Sequence, residues 1–104
     1  MALLGIKELV ESEVESKEYL EIPRKFKVLL LNDDYTSMDF VVEILMNIFH
    51  HDLERAVNTM LTIHKEGKGV CGVYSYEIAE TKIAQVVHKA KANEFPLRAV
   101  MEEE

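Results

Sequence analysis

Along this chain the hydrophobic positions follow two periods, and the places where the period changes mark the predicted elements. The run FKVLLL, Phe26 to Leu31, is short, apolar and suited to a pleated sheet, which predicts a buried first strand. From Met38 onward the apolar positions Met38, Val41, Val42, Leu45, Ile48 and Phe49 recur at helical spacing. Thr36, with Asp39 three residues on, supplies a capping-box-like start to that helix. The polar HHD at 50–52 interrupts the pattern. Asp52 is suited to cap a second helix that carries Leu53, Ala56, Val57, Met60, Ile63 and His64 toward one side, and Gly67 to end it. GVCGVYS then reads as a second strand between turn glycines. Ser75 can cap a third helix with an inner face of Ala79, Ile83, Val86, Val87 and Ala90; Asn93 and Pro96 stop it, and LRAVM alternates as a closing strand. The order β-α-α-β-α-β predicts a compact α+β domain, with a three-stranded antiparallel sheet packed against three helices.

Residues 1–22 stand apart from that pattern and are expected to form an acidic, flexible extension to a domain at 23–104. The first 21 residues carry six glutamates against Lys7 and Lys17, a net −4 of the whole chain's −7. Their apolar residues (Leu3, Leu4, Ile6, Leu9, Val10, Val14) could line one face of a short helix, which would need something to pack against. Glutamates also stand where a secretion signal would need a basic flank and a cleavage site, so export is not expected. No apolar run approaches eighteen residues, so no membrane span is expected. The acidic balance offers no basic face for phosphate contacts, so nucleic acid is not an expected partner. Cys71 is the one cysteine of 104 residues and cannot form an internal disulfide, in keeping with a reducing cytoplasm.

Catalytic chemistry finds little support in the residue types. No glycine-rich phosphate loop is present, since Gly67, Gly69 and Gly72 follow a helix rather than precede one. A nucleophilic pair would have to join Cys71 to one of four histidines, yet its neighbours are apolar, which suits a buried inert thiol better. Asp33 and Asp34 are adjacent on extended chain and point apart, so a shared proton is not expected. His50, His51 and Asp52 diverge for the same reason, and neither metal nor cofactor is expected. Binding fits better. The first strand delivers Asn32, Asp33 and Asp34 to the rim of the sheet, and His64 lies one helical turn beyond Met60. Were the second helix to pack near the strand exit, Asn32, Asp33 and His64 would converge over apolar walls from Met38, Val41, Met60 and Ile63. That arrangement suits an ammonium group with a hydrophobic side chain attached. The plainer alternative is a capped turn after a strand, with the methionines as core filler.

The blocks KVLLLNDDYTSMDFVVEIL, ERAVNTMLTIHKEGKGVCGVYS and AETKIAQVVHKAKANEFPL resemble the ClpS family, the bacterial adaptors of the N-end rule degradation pathway, from about Arg24 to Met101. The resemblance implies that Asn32, Asp33 and His64 bind a substrate's α-amino group, with Asp34 in a local structural role. It also implies that Thr36, Met38, Val41, Met60, Ile63 and Leu97 surround the first side chain, with Met38 as a gate against β-branched residues. Preferred first residues would be Leu, Phe, Tyr and Trp. A Clp-family AAA+ unfoldase, ClpA or a relative, would dock near Glu77 and Lys82 and feed the ClpP peptidase, the adaptor acting as a cytoplasmic monomer and not as an enzyme. One departure is Ser37, where relatives often carry proline. The alternative is a domain that only bridges proteins, blind to any peptide's first residue.

Overall fold

The computed structural model describes residues 22–104. The expected extension, apart from Ile22, lies outside the described residues. Six elements follow in the predicted order: β1 (Phe26–Leu31), α1 (Met38–Asn47), α2 (Leu53–Glu66), β2 (Lys68–Tyr74), α3 (Tyr76–Ala92) and β3 (Arg98–Glu103). β1 is the central strand of an antiparallel sheet ordered β2-β1-β3, with Leu30 opposite Gly69 on one side and Ala99 on the other. That placement explains its composition. A strand buried on both faces needs near-continuous apolar residues, and Val28 and Leu30 on one face and Leu29 on the other are all buried.

The helices lie on the face of β1 marked by Val28 and Leu30. Phe40, Val41, Ile44 and Leu45 of α1 join Ala56 and Ile63 of α2 and Ala79, Val86 and Ala90 of α3 in one core. Three of the expected helix ends are present as read. Asp52 accepts a hydrogen bond from Arg55 N, Ser75 accepts one from Ile78 N, and Gly67 closes α2 in the left-handed region at φ 92°. The start of α1 differs from expectation. Ser37, not Thr36, is the N-cap: its Oγ accepts from Phe40 N at 3.2 Å, while the Thr36 hydroxyl is directed elsewhere. Ser37 therefore contributes a side-chain cap, where a proline would have contributed only a fixed φ.

The turn between α1 and α2 is held from two directions. His51 is 4% exposed, and its Nε2 donates to the Cys71 carbonyl at 2.8 Å, leaving Nδ1 buried without a partner among the described residues. Lys82 reaches from α3 to donate its ammonium to the Ile48 carbonyl at 2.7 Å. α1 has no basic residue in its last turn, so Lys82 supplies the positive charge that the helix C-terminus favours. The side chains of His51 and Asp52 thus part company, one spent on the sheet and the other on a helix cap.

Candidate functional site

The end of β1 and the end of α2 are tied together. Asn32 N donates to the Gly67 carbonyl at 2.9 Å, so the residue that leaves the sheet sits beside the last turn of α2, which carries His64. The chain then crosses through residues 33–37 to α1. Between these three pieces lies a cavity of about 270 Å³ lined by Asn32, Asp33, Asp34, Thr36, Met38, Val41, Met60, Ile63 and His64. Each element contributes by its own logic. The strand end and the turn give the polar groups, the first turn of α1 gives Met38 and Val41, and one face of α2 gives Met60, Ile63 and His64. Ile63 is buried and forms a fixed wall, whereas Met38 is 44% exposed and stands at the mouth.

The two aspartates differ in their hydrogen bonding, and Asp33, expected at a substrate amine, is largely spent on the turn. Asp33 Oδ1 accepts from Tyr35 N at 2.8 Å and Thr36 N at 2.7 Å, and its Oδ2 accepts from the Thr36 hydroxyl at 2.7 Å. A carboxylate has about four acceptor positions, so three of these are already occupied. Burial pushes the Asp33 carboxyl upward, but the hydrogen bonds from Thr36 N, the Thr36 hydroxyl and Tyr35 N outweigh it, and the net shift is downward. Asp33 is thus a fixed anion that knots the turn. Asp34 is exposed, lines the same cavity, and its carboxylate accepts no hydrogen bond among the described residues. The side chains of Asn32 and His64 are likewise unpaired there. Sequence reasoning passed over Asp34 because either of two adjacent aspartates can close such a turn.

Leu97 is the other correction. It does not line this cavity. Following Pro96, it turns into the core at 5% exposure and borders a separate cavity between α3 and β3, with Val87, Ala90 and Phe95. Glu77 is exposed on the first turn of α3; Lys82 lies on the same helix but is half-buried, with one donor spent on α1 and its ammonium 5.7 Å from the Tyr74 ring centroid. Cys71 is free and buried, and burial pushes its thiol up to about 12. His51 bonds to its carbonyl rather than its sulfur, so the pair lacks the geometry of a nucleophile and base.

An α+β domain whose cavity is lined by both unpaired polar side chains and apolar walls has the form of a binding module. Comparison with known proteins makes that class specific. The ClpS family model, ATP-dependent Clp protease adaptor protein ClpS, matches residues 21–100. ClpS of Wolinella succinogenes is 54% identical over 93 residues, 89% of this chain and 91% of that protein. That of Oleidesulfovibrio alaskensis is 55% identical over 93 residues, 89% of each. Among solved structures, Agrobacterium tumefaciens ClpS2 bound to L-phenylalaninamide superposes with a TM-score of 0.77 at 37% identity, covering 80% of this chain and all of that one. The chain belongs to the ClpS family of Clp protease adaptors, and it is accordingly an adaptor rather than an enzyme.

Proposed function

We propose that this adaptor binds proteins with a free N-terminal Leu, Phe, Tyr or Trp and delivers them to a Clp-family AAA+ unfoldase, ClpA or a relative. The observation that carries this reading is the mixed lining of the cavity. Asn32, Asp34 and His64 offer it unspent polar side chains, and Met38, Val41, Met60 and Ile63 offer it apolar surface. An N-terminal residue is the ligand that combines an ammonium group with a hydrophobic side chain two bonds away. L-phenylalaninamide, bound by the Agrobacterium relative, has those two features and no carboxylate.

Asp34 takes the ammonium directly in this reading, with Asn32 and His64 beside it and the fixed charge of Asp33 behind. A cavity of about 270 Å³ suits one side chain rather than a longer ligand. Burying Leu or Phe is worth roughly 1.5–3 kcal/mol, and each hydrogen bond to a charged group about 1.5–3 kcal/mol. After the cost of immobilising the peptide, about 8 kcal/mol remains, which is micromolar binding. Unfoldase docking falls on the face of α3 that carries Glu77, with Lys82 contributing the two ammonium donors it has left. We take the adaptor to act there as a cytoplasmic monomer.

Titration of isotope-labelled protein with phenylalaninamide tests the placement of the ligand. The amide resonances of residues 32–38 and 60–64 should move together. Shifts confined to α3, or to the cavity beside Leu97, would reject the site.

A further inference from the structure

The cavity's polar groups come from the end of β1, the turn after it and α2, and its apolar walls from α1 and α2, yet a ligand that meets both needs them in fixed register. The short turn from Asp33 to Thr36 is the covalent link between the end of β1 and the start of α1. Within it, one carboxylate gathers the N–H groups of residues 35 and 36 and the hydroxyl of Thr36, all at 2.7–2.8 Å. Those three bonds close the backbone around residue 34, the residue whose carboxylate is left unspent.

We infer that Thr36 is a positioning residue, whose hydroxyl, by holding Asp33 Oδ2, sets the direction in which Asp34 faces the cavity and the distance from there to Met38. The inference rests on the amine-binding reading above and assigns Thr36 a role distinct from lining the pocket. The residue lines the cavity while its hydroxyl donates to Asp33 in the turn. A loss of the hydroxyl alone should therefore separate the two roles.

The titratable groups around Asp33 are Asp34 and Tyr35 in the same turn and His64 on α2; α1 presents Met38 and Val41 to the cavity, with Asp39 in its first turn, and β1 is followed by the neutral Asn32. The hydrogen bonds of Thr36 are among the causes that keep Asp33 below the ordinary carboxylate range against the upward push of burial, so their loss has a second, ligand-free signature.

Thr36→Val keeps the volume and removes the hydroxyl, and Thr36→Ser keeps the hydroxyl and removes the methyl. Two quantities are read in each: affinity for a free-amine Leu peptide beside its acetylated form, and the pH midpoint followed by the Tyr35 and Thr36 amide proton shifts. Thr36→Val should weaken the free-amine peptide by about 10-fold, the scale of one hydrogen bond to a charged group, and move the midpoint upward. Thr36→Ser should restore the midpoint and most of the affinity. A dispersed amide spectrum in each variant establishes that it is folded, and the midpoint is then read without any ligand. The inference is overturned if Thr36→Val leaves affinity and midpoint unchanged, or if Thr36→Ser is as impaired as Thr36→Val. Were the wild-type protein to bind free and acetylated peptides equally, amine recognition itself would fall and this inference with it.

Discussion

Replacing each aspartate by alanine should separate what the two carboxylates do. Asp33→Ala removes one acceptor group from three donors, Tyr35 N, Thr36 N and the Thr36 hydroxyl. The nearest measured analogue is the loss of a helix N-cap, which costs about 0.5–2 kcal/mol. The turn is only partly buried, so water takes over some of those bonds, and a loss of about 1.5 kcal/mol is expected within that range. Asp34→Ala removes a carboxylate that accepts no bond among the described residues, so stability should change by no more than about 0.5 kcal/mol. Binding reverses the order of specificity. Without the Asp34 carboxylate the ammonium loses a charge-assisted hydrogen bond worth about 1.5–3 kcal/mol, or about 10- to 150-fold in Kd. Asp33→Ala should weaken binding as well, but only together with its loss of stability. Urea unfolding and fluorescence anisotropy with a labelled Leu peptide measure the two quantities on the same samples. If Asp34→Ala binds undiminished, or is destabilised as much as Asp33→Ala, the division of labour read from the hydrogen bonds is wrong.

Other consequences concern the walls and the core. Met38→Ala should open the mouth of the cavity to peptides beginning with Ile or Val while Leu still binds; unchanged discrimination against Ile would show that Met38 is no gate. A Cβ placed on Gly69 would stand 2.8 Å from Ile63 Cγ1, and Ile63 is buried, so Gly69→Ala should lower the urea midpoint by an amount equivalent to about 1–3 kcal/mol. An unaltered midpoint would mean that the wall yields freely. The Cys71 thiol, held at about 12 by burial, should resist iodoacetamide at pH 8 in the native protein and react once urea unfolds it; prompt native labelling would contradict the packing of β2.

Much of the fold was legible because its signals are local. Asp52, Gly67 and Ser75 each end or begin a helix by a bond within three or four residues, and residue type alone points to such bonds. The site was legible in outline for the same reason: a strand end, a helix face and a histidine one turn from a methionine. What escaped the sequence depends on a choice between near-equivalent local arrangements. Thr36 and Ser37 are both capable caps, and in the folded turn Ser37 serves α1 while Thr36 serves Asp33. The same choice decides which of two adjacent carboxylates takes the donors of the turn. Leu97 was misplaced because an apolar residue after a proline is equally at home in a core or a pocket, and only the packing of α3 on β3 distinguishes them. Lys82 gives a similar lesson. Its bond to the Ile48 carbonyl spans 34 residues of sequence, and no pattern along the chain announces it.

Anisotropy of three labelled peptides, identical except for a first residue of free Leu, acetyl-Leu or free Ile, bears most directly on the adaptor's proposed recognition of N-termini. Micromolar binding of free Leu, with acetyl-Leu and Ile at least about 10-fold weaker, is the outcome expected if the cavity reads both the ammonium and the shape of the side chain. Equal binding of all three, or of none, would contradict it.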